Sequence, residues 1–349
     1  MLSNLDNICA ILQKRLVLWD GNTVTLRFAP RLICFVADGI ANEENLLSHN
    51  GSIAIIAAEQ YLVLKESIPN IHIYNNNMEI YESDVLLIIS CLTMVQDTVL
   101  CKFKHIAYFF DDVTMHKLKN STEYREKIRR INVIFHPVKE SSIALLSISN
   151  SVFYVPWTLS RLQSLSEKPV RPSIFVDMDG RKENTYSIAD GVAFIKAISS
   201  LDVTIFAPSA TQRSEIVLPD EILGRVQTVP FCPHDEYMSF LSKLWFYASG
   251  IRGSYEFQVL ETAFLGCGLI SIRSAVRNEH RNRRVLIDFN GQDGIVGQLK
   301  DAINQYDPYA IAADAVKLYP RTSGIIIKEI IDRFNHEGWP EPIGIERLA

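Results

Sequence analysis

Gly253-Ser-Tyr-Glu-Phe-Gln-Val-Leu-Glu261-Thr-Ala-Phe-Leu-Gly-Cys-Gly268-Leu-Ile-Ser-Ile272 is the stretch whose pattern decides the fold. Phe257, Leu260 and Phe264 recur at i, i+3 and i+7, the spacing of one helix face. The helix stops at Gly266, and Gly268 opens an apolar strand. A helix, a glycine turn and a buried strand in that order form the repeating unit of a parallel α/β sheet. Glu261 lies beside the buried stripe. It is either a solvated charge at the edge of the packing or an acceptor for the hydroxyls of a ligand lying over the helix N-terminus, where free N–H groups favour phosphate.

The same alternation extends to both sides of this stretch. Ser173-Ile-Phe-Val-Asp177 reads as a strand leading through a polar loop with Gly180 to a helix over Ser187 to Ser199, a geometry that receives a diphosphate. Val203 to Ala207 and Val226 to Val229 are the next strands. The loop Pro230-Phe-Cys-Pro-His-Asp-Glu-Tyr237 then opens a helix running to about Lys243, followed by the strand Trp245 to Ser249. His234 reads as a helix-start residue.

On the carboxyl side, Arg273, Arg277, Arg281, Arg283 and Arg284 fall within twelve residues. Such a run is a solvated face or, because arginine makes bidentate phosphate contacts, a site for an anion. Arg277, Arg281 and Arg284 are the candidates for that contact. The strand Val285 to Asp288 follows, and then helices over Ile295 to Tyr306, Tyr309 to Leu318 and Gly324 to Asn335.

The amino-terminal half repeats the pattern. Leu32 to Ala37, Asn70 to Tyr74, Asp84 to Ile89, His105 to Phe110, Ile131 to Phe135 and Tyr154 to Trp157 are short apolar runs, and Ser52 to Lys65 is helical in period. Strands alternating with helices predict doubly wound sheets, in which ligands sit beyond the carboxyl ends of the strands. Asp38, Ser90, Asp111, Asp112 and His136 occupy such ends. Each aspartate there is a helix N-cap or a general base. Ahead of this half, residues 1–30 read as an accessory helix around Ile8 to Leu12 and a hairpin whose arms flank Asp20-Gly21-Asn22.

Composition agrees with this layout. At 349 residues with 48% hydrophobic content the chain can bury two cores. A net charge of −5 argues against nucleic-acid binding through bulk attraction. The six cysteines (Cys9, Cys34, Cys91, Cys101, Cys232, Cys267) lack C-x-x-C spacing and read as buried hydrophobes in a reducing compartment. With no basic leader and no apolar run near the ~18 residues that span a bilayer, the expected location is cytoplasmic.

The stretch from Gly253 to Ile272 resembles the nucleotide-binding helix of GT-B glycosyltransferases, E-x7-E followed by a small-residue turn and a strand. The second glutamate of that motif holds the ribose of a nucleotide-sugar, and Glu261 falls on it; Gly253 stands where the first would be. The resemblance covers residues 173–290 and implies two Rossmann-like domains facing a cleft, residues 31–160 on the acceptor side and residues 173–323 on the donor side, with the helix and tail over 324–349 crossing back to the first domain. It places Arg181, Lys182 and Arg252 on the donor diphosphate, and Ser254, Gln258 and His234 around the donor. It implies no resident cofactor and no metal, although Asp177 and Asp179 have metal-motif spacing. The expected donor is a UDP-sugar.

A second resemblance is narrower. His105-Ile-Ala-Tyr-Phe-Phe-Asp-Asp112 is similar to a strand of the T-even phage β-glucosyltransferases, whose terminal aspartate is the proposed base toward a hydroxymethylated DNA base. Asp112, or Asp111 beside it, is the implied base, and Gln258 stands where that family has a phosphate-contacting arginine. The expected activity is sugar transfer to a hydroxyl on a surface glycan or glycolipid, with modified DNA as the alternative acceptor. A non-catalytic two-domain binding or scaffold protein is the reading from another class.

Overall fold

The computed structural model describes residues 15–19, 24–28, 30–37, 39–48, 52–110, 112–160, 165–178, 188–210, 216–249, 256–273, 280–291, 294–319 and 322–344. The chain divides into two compact units, Met1–Pro156 with Thr322–Ala349, and Trp157–Arg321.

The first unit carries the hairpin of β1 (Arg15–Trp19) and β2 (Val24–Phe28), paired antiparallel as their alternation predicts. Its turn and the helix expected around Ile8 lie outside the described residues. The main sheet holds β3 (Leu32–Phe35), β4 (Ile71–Ile73), β5 (Val85–Ile88), β6 (His105–Phe109), β7 (Val133–His136) and β8 (Val152–Tyr154). All five pairings are parallel, in the order β4-β3-β5-β6-β7-β8. Strand β8 begins ahead of the expected Tyr154 and ends before Pro156, which has no N–H to continue a ladder. The helices between strands are α1 (Glu43–Ser48), α2 (Ser52–Ser67), α3 (Asp97–Leu100), α4 (Met115–Asn120), α5 (Thr122–Ile128) and α6 (Lys139–Leu145). Strand residues such as Ile33, Leu86, Leu87 and Ile134 are fully buried, as expected of a sheet covered on both faces.

The second unit contains β9 (Ser173–Asp177), α7 (Ile188–Ala197), β10 (Thr204–Pro208), α8 (Asp220–Leu223), β11 (Val226–Val229), α9 (His234–Leu241), β12 (Phe246–Ser249), α10 (Glu256–Phe264), β13 (Gly268–Ile272), β14 (Leu286–Phe289), α11 (Ile295–Asn304) and α12 (Pro308–Leu318). Its six parallel strands run β11-β10-β9-β12-β13-β14. The strand order reverses between β9 and β12, which is where open α/β sheets bind ligands. The two faces have separate cores. Ile174, Val176, Phe246, Ala248 and Ile270 pack with α7 and α11 on one side. Phe175, Tyr247 and Leu269 pack with Met238 and Leu241 of α9 and Val259 of α10 on the other. Helices α9 and α10 therefore lie on the same face of the sheet.

The glycines around α10 are demanded by close approach. At Gly266 φ is +72°, and an added Cβ would stand 2.6 Å from the Pro308 carbonyl oxygen; at Gly268 it would stand 2.6 Å from the Phe246 ring. The last helix, α13 (Ser323–Glu337), packs on α2 within the first unit. Gly324 permits that contact, since a Cβ there would come 2.7 Å from the Val63 carbonyl oxygen. Among the described residues no helix is long and apolar enough to cross a membrane.

Candidate functional site

The carboxyl ends of β9 and β12 meet in register, Asp177 beside Ser249 and Phe175 beside Tyr247. Side chains alternate along a strand, so Phe175 and Asp177 share a face with Tyr247 and Ser249, and this is the face that carries α9 and α10. The buried Tyr247 hydroxyl donates to the Asp177 carboxylate and lies 3.2 Å from the side-chain carbonyl oxygen of Gln258, in the first turn of α10. Burial first, and then the nearby Asp177 carboxylate, pushes the Tyr247 phenol well above its usual range, so it keeps its proton. Tyr237 on α9 is shifted the same way, by burial first and then by Asp177 and Glu261.

Glu261 is 2% exposed, and its Oε1 stands 2.7 Å from Nε2 of His234, the first residue of α9. Two helices on one sheet face thus bring an imidazole N–H to a buried carboxylate. Behind the pair, a single ammonium ties the carboxyl ends of both helices: Lys168 Nζ donates to the carbonyls of Ser242 (2.9 Å), Leu244 (2.6 Å) and Leu265 (2.8 Å). Loss of hydration lowers the pKa of Lys168. Its charge sits where the two helix dipoles end negative.

The arginine run is divided among partners. Arg281 NH1 is 3.0 Å from the Asp288 carboxylate, Arg284 Nε is 2.7 Å from Asp314, and Arg273 NH2 is 2.6 Å from the buried Asp190. Arg283 is buried and donates to the carbonyls of Val259 and Cys267, bracing α10 from its far end. Arg277, like Asp111, Asp179, Arg181, Lys182, Arg252, Gly253 and Ser254, lies outside the described residues.

In the first unit Asp112 follows β6. It is 8% exposed, and its carboxylate accepts from the hydroxyls of Tyr108 and Tyr124 and from the backbone N–H of Leu92 at 3.2 Å. Lys117 Nζ is 3.9 Å away and 3.1 Å from the Tyr124 hydroxyl. Burial raises the Asp112 carboxyl above the usual range despite these donors. His136, at the end of β7, is held by its own loop. Val138 N–H donates to Nδ1 at 3.1 Å, and Nε2 is 3.0 Å from the Val113 carbonyl, so one neutral tautomer serves both contacts.

Residue type and position pointed to Glu261 and Asp112, and the resemblance added Gln258 and His234. The partners Tyr247, Tyr108, Tyr124 and Lys168 carried no signal, because each acts through a contact that only strand register or the packing of a distant segment creates.

No protein-family model and no curated protein matches the chain. Solved structures do. AviGT4, a glycosyltransferase involved in avilamycin A biosynthesis, superposes with a TM-score of 0.56 at 11% identity, covering 89% of this chain and 100% of that one. The fold is GT-B. An α-glucosyltransferase in complex with UDP and a 13-mer DNA containing an HMU base gives a TM-score of 0.55 at 12% identity over 86% and 98% of the two chains. A proposed UDP-N-acetylglucosamine 2-epimerase from Listeria monocytogenes gives 0.52 at 12% identity over 91% and 100%. The chain also spans 58% of the chain it matches in the GtfA/B complex, at a TM-score of 0.47. The GT-B fold agrees with the two parallel six-stranded sheets and with the architecture expected from the sequence.

Proposed function

We propose that this protein is a glycosyltransferase that takes a sugar from a UDP-sugar held on the second unit and transfers it to an acceptor hydroxyl. The observation that carries this reading is the buried Glu261, fixed by His234 on helices that begin at the carboxyl edge of the sheet beside its order reversal. A carboxylate only accepts hydrogen bonds, so it suits the paired hydroxyls of a ribose. His234 orients it and stabilises its charge. Arg181 and Lys182 precede α7 in the sequence and Arg252 precedes α10, and we assign them to the diphosphate, where negative charge builds as the sugar departs.

Two other GT-B-fold structures shape the test. One is the proposed epimerase, which suggests rearrangement of a UDP-sugar as a second chemistry. The other is the DNA-bound α-glucosyltransferase, which favours a hydroxymethylated DNA base as the alternative to a surface glycan or glycolipid acceptor. Incubation with UDP-glucose and with UDP-N-acetylglucosamine, followed by chromatography of the nucleotides, separates them. A transferase releases UDP, and release rises with the correct acceptor. An epimerase yields an isomeric UDP-sugar without acceptor. Intact donors in the presence of glycan, glycolipid and hydroxymethylated DNA would refute the transferase reading.

A further inference from the structure

The first unit is polarised in charge. Residues 38–97, which supply α1, α2, β4 and β5, hold nine acidic residues and one lysine. Between Met115 and Leu146, where α4, α5 and α6 flank β7, seven lysines and arginines stand against three glutamates, in a chain whose net charge is −5. This basic side is one braced surface. Helix α5 packs on α4 and on the turn over Leu92–Met94, and α4 packs on α6. Arg125 donates from NH1 to the carbonyls of Leu118 (3.1 Å) and Lys119 (2.8 Å), which ties α5 to α4. Lys127 Nζ donates to the carbonyls of Thr93 (3.0 Å) and Val95 (2.8 Å), which ties the turn to α5. Lys139, Ile143 and Leu146 fall at i, i+4 and i+7, one stripe of α6 and its helical cap, and all three are exposed, Ile143 by 59% and Leu146 by 45%. The opposite stripe, Ser142 and Leu145, is buried. Met94 is 43% exposed on the turn, and Lys119, Arg129 and Arg130 are exposed on α4 and at the end of α5.

We infer that this surface docks the protein on an anionic lipid bilayer. A single exposed aliphatic side chain needs no explanation, but three of them set among lysines and arginines match the interfacial layer, which receives apolar side chains below its headgroups and cations beside its phosphates. Nucleic acid attracts the same charge. It engages protein side chains beyond its phosphates by aromatic stacking, however, and the exposed apolar groups here are aliphatic. The contact is peripheral, since no described helix is long and apolar enough to cross a membrane. This inference is independent of the UDP-sugar reading, because every residue in it belongs to the first unit.

The test is flotation of the full chain with vesicles of phosphatidylcholine alone and of phosphatidylcholine mixed with phosphatidylglycerol, at low and high salt. The chain is expected to partition at least about tenfold more strongly to the mixed vesicles, and less as salt rises. Two double variants divide the contributions. Lys119→Glu with Lys139→Glu, and separately Ile143→Ser with Leu146→Ser, should each lower that partition by about tenfold or more. All four side chains are exposed, so circular dichroism and thermal melts should match the wild type. Absence of binding to the mixed vesicles, or binding that neither double variant weakens, would overturn the inference. Salt-sensitive binding to a DNA duplex without vesicle binding, unchanged by serine at Ile143 and Leu146, would make the surface a nucleic-acid platform and also overturn it. Stabilisation by UDP should be the same in both double variants as in the wild type, so either outcome leaves the donor reading untouched.

Discussion

His234 and Glu261 stand on different helices, 27 residues apart in sequence, and meet at 2.7 Å with the carboxylate almost wholly buried. Burying a carboxylate costs several kcal/mol unless it is paired. Here the partner is the first residue of α9, whose place is set by the crossover from β11 to β12. The pair is therefore expected to couple in ligand binding. His234→Ala should weaken UDP binding about tenfold and Glu261→Ala by at least as much, with a coupling energy of about 1–2 kcal/mol in a double-mutant cycle. Additive losses would show that the imidazole does not orient the carboxylate.

The Asp112 carboxyl is raised by burial, so the folded chain holds its proton to higher pH than the unfolded chain does. Stability from this group is full below the ordinary carboxylate range and is lost as pH rises through the folded value. Asp112→Asn removes the titration. Urea midpoints followed from about pH 4 to about pH 8 should fall for the wild type relative to Asp112→Asn as pH rises. Parallel curves would mean that Asp112 does not titrate differently on folding.

Lys168 and Arg283 are staples of the helices that carry the site, whereas Arg281 and Arg284 form partly exposed pairs. Lys168→Met orphans buried carbonyls, and Arg283→Ala adds a cavity. Each should cost about 2–4 kcal/mol in chemical denaturation. Arg281→Ala should cost less than about 1 kcal/mol, and Arg284→Ala should cost less than either buried substitution. The reverse ranking would contradict the bracing role.

Alanine in place of glycine inside a helix usually gains about 1 kcal/mol. At Gly324 the added methyl meets a backbone carbonyl oxygen of α2 at 2.7 Å, and displacing that contact costs about 1–3 kcal/mol. Gly324→Ala is therefore expected to destabilise the chain in a thermal melt. Stabilisation would mean that α13 does not pack on α2 through this glycine.

Much of the architecture could be read from periodicity. Short apolar runs such as Ile33 to Phe35 and Leu86 to Ile88 marked buried parallel strands, and the stripe Phe257, Leu260, Phe264 marked α10. Strand order could not be read, because it follows from which crossovers skip a neighbour, as that from β11 to β12 does. Site partners were hidden for the same reason. Asp177 and Tyr247 are 70 residues apart and share a face only through the pairing of β9 with β12. The arginine run looked like a concentration of free charge, but Asp288 and Asp314, on later elements, fold back to neutralise two of its members.

The most direct measurement is the shift in unfolding free energy of the wild-type chain and of Glu261→Ala on adding UDP. At a hundred times its dissociation constant, UDP should stabilise the wild type by about 2.7 kcal/mol, and the same concentration should stabilise Glu261→Ala by clearly less. Equal stabilisation of both proteins, or none of the wild type, would contradict a nucleotide held by that carboxylate.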